Sequence, residues 1–179
     1  MKNHIEICKS KTLIPKIYVA CLATYNNGYL HGEWIDAHQD VHDLYAEIKK
    51  IIASSPILHA EEFAIHDYEG FGDVYVGEYI SLETISALAD FIVEHGELGA
   101  GVLSCMNGDI DEARRVLEDC YYGEHDSEED FAISFAEETM TIPDYLSFYI
   151  DYEKMARDLF ISDFFSVEIN HKMHVFSNS

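Results

Sequence analysis

The stretch IYVACLATYNNGYLHGEWID, residues 17–36, sets the architecture of the chain. Ile17 to Thr24 and Tyr29 to Asp36 carry the branched and aromatic residues that suit strands, and Tyr25-Asn26-Asn27-Gly28 between them is a turn signal. The segment therefore predicts a β-hairpin, with Trp34 among its buried residues. The period then changes. From Asp40 to about Ser54, Val41, Leu44, Tyr45, Ile48, Ile51 and Ile52 recur at helical spacing, which leaves Asp40, Asp43 and Glu47 on another face. Phe63 to Glu69 reads as a third strand, so this part of the chain is an α+β unit.

Working outward, Ser81 caps a helix whose apolar stripe is Ile85, Leu88, Ala89, Ile92 and Val93, and Gly96 ends it. Glu97 to Met106 predicts a second short helix, broken at Asn107-Gly108. Asp109 stands three residues before Glu112 in a capping-box spacing, and Ile110, Ala113 and Leu117 continue the stripe. Ser127 caps a further helix with Phe131, Phe135 and Ala136 facing inward until Thr141 to Pro143, and Asp151 opens another through Met155, Ala156 and Leu159. Two strand-like runs, Phe164 to Ile169 and Met173 to Phe176, close the chain around Asn170-His171. The fold class expected is α+β, an elongated chain of small α/β and helical subdomains with antiparallel sheets in the N- and C-terminal parts. Its divisions are a basic extension over 1–16, an α+β domain over 17–72, a helical middle domain over 73–116 and an α+β domain over 117–179.

Charge narrows the function. Among 179 residues, 11 Lys and Arg face 34 Asp and Glu, a formal charge of −23, while 48% hydrophobic content excludes a disordered acidic tail. Such a chain does not bind nucleic acid through a basic face, and an anionic membrane repels it. Residues 1–16 hold four lysines and one acid, whereas residues 17–153 hold 30 acids against Lys49, Lys50, Arg114 and Arg115 alone. Residues 51–113 and 116–153 have no Lys or Arg at all, although they carry 13 and 12 acids, so no acid there finds a basic neighbour within its own window. Spreading so much repulsion favours an extended particle over a sphere.

The chemistry-bearing motifs are sparse. Cys8, Cys21, Cys105 and Cys120 form no Cys-x-x-Cys pair, which fits a reducing cytoplasm better than a zinc knuckle or a disulfide framework. Lys9, Lys11 and Lys16 ahead of Ile17 to Ala23 mimic a secretion signal, but the apolar run is too short and a turn follows it. His38 and His42 stand four apart beside Asp36, Asp40 and Asp43, yet Gln39 occupies the position where a metalloprotease pattern needs Glu. Asn107 to Glu112 lacks the register of a calcium loop, and with 34 acids, carboxylate pairs by spacing alone do not indicate glycoside hydrolysis. No nucleophile elbow or glycine-rich phosphate loop is present. The expectation is a non-enzymatic protein with no metal and no cofactor. The aromatic clusters Tyr121-Tyr122 and Phe148-Tyr149-Tyr152 read as core or dimer contacts.

Several stretches, in order along the chain, resemble the ArdA antirestriction family of DNA mimics carried on mobile genetic elements. They are Ile17 to Leu22 with Tyr25 to Gly28 and Gly32 to Asp36, Glu62 to Gly70 (EFAIHDYEG), Glu94 to Gly99 (EHGELG), Leu117 to Ala132 (LEDCYYGEHDSEEDFA), and Tyr149 to Tyr152 followed by Ala156-Arg157-Asp158. The resemblance runs from residue 17 to about 176. It implies a three-part elongated protomer that forms a homodimer through its C-terminal part and occupies the DNA-binding groove of type I restriction-modification enzymes, on their methyltransferase core. No catalytic residue transfers with it. The acids expected to stand in for phosphates are Glu61, Glu62, Asp67, Glu69, Asp73, Glu78, Glu83, Asp90, Glu94, Glu97, Asp109, Asp111, Glu112, Glu118, Asp119, Glu124, Asp126, Glu128, Glu129, Asp130, Glu137 and Glu138, taken as one collective surface. A dimer would carry twice the charge of −23, which at one charge per ~1.7 Å of duplex matches roughly 78 Å, or ~23 base pairs. The competing reading is an acidic binding module for some other basic DNA-binding protein.

Repulsion of this size makes stability depend on screening. Moderate salt is expected to raise the melting temperature, measured by a thermal scan at increasing ionic strength; a flat response would mean that the charges are already compensated.

Overall fold

The computed structural model describes residues 13–178, so most of the basic extension expected over 1–16 lies outside the described residues. The architecture is α+β, with two three-stranded antiparallel sheets, and the chain divides into one unit through Ile110 and another from Asp111. In the first unit the order is β1 (Lys16–Cys21), α1 (Leu22–Asn26), β2 (Gly32–Asp36), α2 (Val41–Ala53), β3 (Phe63–Glu69) and α3 (Leu82–Cys105). The second has α4 (Ile110–Asp119), which starts at the division, β4 (Tyr121–His125), α5 (Glu128–Thr139), α6 (Asp144–Ser147), α7 (Tyr152–Ser162), β5 (Phe164–Ile169) and β6 (Lys172–Ser177).

The first sheet has the order β2-β1-β3, which makes β1 the central strand and explains why Ile17, Val19, Ala20 and Cys21 are fully buried. The expected hairpin is present in a shorter form. β1 stops at Cys21 because the next residues turn helical: the buried Thr24 hydroxyl donates to the Cys21 carbonyl at 2.8 Å, and the Tyr29 amide donates to the Thr24 carbonyl. A buried hydroxyl needs a partner, and the local backbone supplies it in place of a strand ladder. Trp34 corrects the sequence reading, since it is 44% exposed. Register decides this. Ile35 pairs with Ile17 on the core face, so its neighbour Trp34, opposite Tyr18, must lie on the other face, where the two rings meet edge to face at 5.6 Å. Tyr45 of the expected α2 stripe is likewise exposed, and Leu44, Ile48 and Ile51 carry the burial.

Asp40 caps α2 by accepting from the His42 amide, and Ser81 caps α3 by accepting from the Thr84 amide. α3 consists of two helical runs separated at Gly96, whose φ of 64° and ψ of −153° interrupt the ladder where the sequence indicates a stop. Leu82, Ile85, Leu88, Ala89, Phe91 and Ile92 are buried before the break, and Ala100, Val102 and Leu103 after it. Ser86 on α3 donates to the Gln39 carbonyl at 2.9 Å, which ties the helix to the entry of α2.

The second sheet has the order β4-β6-β5. Asn170 and His171 join β5 to β6 with φ of 53° and 63°, the two positive angles that a tight hairpin turn requires. β4 is an addition to the sequence reading, in which Tyr121-Tyr122 is only an aromatic cluster. Its strand signal is weak because Gly123, at φ 104°, sits where the pairing with β6 shifts register. Phe131, Phe164 and Val175 form the core here, with Phe135, Leu159, Phe160 and Met173 packed against them. Phe131 is the hub, with its ring centroid 4.8 Å from Phe164 and 5.7 Å from Phe160.

Truncating that hub should test where cohesion resides. Phe131→Ala is expected to destabilise the protein by about 3–5 kcal/mol through lost transfer energy and a residual cavity, read from urea denaturation. A cost below about 1 kcal/mol would show that the aromatic cluster is not the core of its unit.

Candidate interface of exposed carboxylates

An acid in a protein with few bases is held in place by the backbone that carries it. In the first unit, Glu61 and Glu62 precede β3, Asp67 and Glu69 lie on it, and Asp73 and Glu78 sit on the connection to α3. Glu83, Asp90 and Glu94 follow on α3 at spacings of seven and four, which places them on one helical face about 10.5 and 6 Å apart along the axis. Glu97 lies beyond the Gly96 break and Asp109 immediately before α4. In the second unit, Asp111 and Glu112 open α4 and Glu118 and Asp119 close it. Glu124 is on β4, Asp126 precedes α5, Glu128, Glu129 and Asp130 form the first turn of α5, and Glu137 and Glu138 fall near its end. Each of these carboxylates is exposed except Glu97 and Glu112, which are half-buried.

Few of them meet a cation. Arg115 makes a paired contact with Glu112 at 2.6 and 3.0 Å, which raises the guanidinium pKa and holds the Glu112 carboxyl below its ordinary value. Lys172 bridges Asp126 and Glu124, with the stronger contact to Asp126, whose pKa it lowers. Lys16 lies 3.8 Å from Glu69. Asp90, Glu94 and Asp130 each have a histidine within ion-pair reach, at His38, His95 and His125. Glu61, Glu62, Asp67, Asp73, Glu78, Glu83, Asp111, Glu118, Asp119, Glu128, Glu129, Glu137 and Glu138 make no ion pair with another described residue.

Position on the helices sharpens the point. Acids in the first turn of α5 complement the helix dipole, and Ser127 completes the cap by accepting from the Asp130 amide at 3.0 Å. Glu118, Asp119, Glu137 and Glu138 do the reverse. They stand near helix C-termini, where cations are favoured, and neither α4 nor α5 has a base in its last turn. The fold forgoes local stability to keep negative charge there.

The densest runs do not include Glu33, Asp36 and Asp43 of the first unit or Asp144, Asp151, Glu153, Asp158, Asp163 and Glu168 of the second, which are also exposed. Their signal in the sequence is diluted by nearby Lys49, Lys50, Lys154, Arg157 and Lys172 or by isolation from other acids. His38 and His42 face different acids, Asp90 at 3.5 Å and Asp43 at 3.7 Å. Among the described residues, no group of three or more His, Cys, Asp or Glu is placed to hold a metal ion, and no helix is long and apolar enough to cross a membrane.

Fold and surface together define a small α+β protein whose distinguishing feature is a broad array of exposed carboxylates on both units. The family model described as Antirestriction protein (ArdA) matches residues 17–172, and the chain belongs to that antirestriction family. No curated protein matches it.

One titration inside the array has a definite sign. Half-buried His174 stacks on Tyr121, whose hydroxyl lies 2.8 Å from its Nδ1; burial lowers the imidazole pKa, while the Glu124 charge pulls it up. The unfolded chain therefore takes up this proton first as pH falls, and the stability tied to neutral His174 is lost between the ordinary imidazole value and the lower folded one. NMR titration is expected to show His174 charging below a free imidazole, and His174→Gln should reduce the acid loss of melting temperature between about pH 7 and 5. A His174 that titrates at or above a free imidazole would contradict the role of burial.

Proposed function

We propose that this protein blocks type I restriction-modification enzymes by occupying, on their methyltransferase core, the groove that otherwise holds DNA. The observation that carries the reading is the set of exposed carboxylates without cationic partners, spread over elements of both units. The first unit's sequence has 17 acids against six bases and the second 17 against five, net charges of −11 and −12, so neither unit alone accounts for the array. A groove that binds DNA tracks the phosphate backbone with Lys and Arg irrespective of base sequence, and fixed carboxylates can take the same contacts. Base readout is unnecessary. On this reading the protomer has three parts along residues 17–72, 73–116 and 117–179 and acts as a homodimer in the cytoplasm, joined through its C-terminal part, where Phe148 and Tyr149 are strongly exposed.

Competition between the protein and DNA for a purified type I methyltransferase tests the proposal. Displacement is expected to be independent of the enzyme's recognition sequence and to weaken steeply as salt rises. Inhibition that persists undiminished at high salt would sink electrostatic mimicry. A second outcome separates function from folding. Replacing Glu137 and Glu138 with Gln removes charges unfavourable to the helix dipole, so thermal stability should rise by about 0.3–1 kcal/mol while enzyme binding falls. Charges kept only as a solvated surface would leave binding unchanged.

A further inference from the structure

Beside the carboxylate array, the first unit has an open hollow of about 390 Å³ walled by Tyr25, His66, Tyr68 and Tyr75, with Glu78 supplying a carboxylate. Its parts come from three places in the chain. Tyr25 lies on α1 and packs edge to face on His66 of β3, centroids 4.6 Å apart. Tyr68 sits further along β3, where Phe71 backs its ring. Tyr75 belongs to the connection between β3 and α3, and buried Val74 and Val76 on either side turn it outward.

That connection is pinned. The Ile65 amide donates to the Glu78 carbonyl at 3.0 Å, and Ser104 donates to the Asp73 carbonyl at 3.1 Å, so the hollow is built before any ligand arrives. The neighbouring Glu78 carboxylate raises the Tyr79 phenol pKa. Tyr75 is 80% exposed and Tyr25 55%, so both rings are accessible to a partner. No Lys or Arg occurs anywhere in residues 51–113, which leaves Glu78 without a cation from its own segment.

We propose that this hollow receives an arginine side chain of the protein's partner, with the guanidinium plane against the tyrosine faces and Glu78 accepting its hydrogen bonds. Aromatic faces attract cations, and the planar, weakly hydrated guanidinium stacks on them better than a compact ammonium does. The source of that arginine rests on the reading of the target as a DNA-binding groove lined with Arg. The chemistry of the hollow does not.

The test uses the full chain and N-acetyl-arginine amide as probe, followed by the aromatic-ring NMR signals. Saturable shifts are expected at Tyr25, His66 and Tyr75 and not at the exposed Tyr149, with little effect from the neutral isostere N-acetyl-citrulline amide and weaker shifts from N-acetyl-lysine amide. Tyr75→Leu should weaken probe binding about ten-fold, and Tyr75→Phe, which keeps the ring, should retain it. Shifts of equal size at Tyr149, an equal response to citrulline or lysine, or no change in Tyr75→Leu would overturn the assignment. Against a type I methyltransferase, Tyr75→Leu changes no charge, so affinity should drop with an unchanged salt dependence; unaltered affinity would overturn the arginine's origin in that partner. Failure of the wild-type chain to bind the enzyme at all would remove the antirestriction target while leaving the probe result standing.

Discussion

Like charges held without counter-charges are the constraint on which the rest of this structure depends. Two carboxylates ~6 Å apart repel by about 0.7 kcal/mol in the dielectric of water, and by about 2.8 kcal/mol at the effective value of a protein surface. The fold keeps this repulsion far below that of a buried pair by leaving almost every carboxylate of the array in solvent. It then relies chiefly on apolar packing for cohesion. That explains why each unit has a dense core of its own: Ile17, Val19, Ala20 and Cys21 of the central strand, with α2 packed against that strand, in the first, and a cluster of phenylalanines in the second, where aromatic rings bring the most area per residue.

The few cations are used sparingly and locally. Lys172 and Arg115 each hold acids of the second unit, so they tie down the backbone around β4, β6 and α4 without neutralising the surface. The acids closing α4 and α5 show the other side of the same choice. A lysine in the last turn of either helix would have complemented the dipole, and Asp119 and Glu138 stand there in its place.

Much of this was legible before any coordinates. The stripe of Leu44, Ile48 and Ile51, the caps at Ser81, Ser127 and Asp151, the stop at Gly96 and the turn at Asn170-His171 follow from periodicity and capping chemistry, which act over a few residues. What failed depended on partners distant in sequence. Trp34 reads as core until β1 sets its register, and β4 is invisible until β6 pairs with it. For the surface, exposure of the acids follows from their charge alone. Which of them are paired does not: Lys172 meets Asp126 across 46 residues, and His38 meets Asp90 from a different element. The tyrosine hollow is illegible for the same reason, since Tyr25, His66 and Tyr75 converge only once α1, β3 and the following connection are folded.

On the proposed function, charge and aromatic contact would divide the work of recognition between range and position. Repulsion and attraction between exposed charges extend over about a Debye length and fade with salt, so an array of carboxylates can draw the protein towards any cationic channel but discriminates weakly between registers within it. A pinned hollow that accepts one planar cation acts over contact distance, and the ring contact within it is less sensitive to screening than the array is. Its value lies in orientation: a single arginine seated against Tyr75 and Tyr25 fixes one point of the surface, and rigid β3 and α3 then carry Asp67, Glu69, Glu83, Asp90 and Glu94 into place around it. Recognition on this scheme needs no base-specific group, because one anchored contact converts a diffuse negative surface into an ordered set of phosphate substitutes.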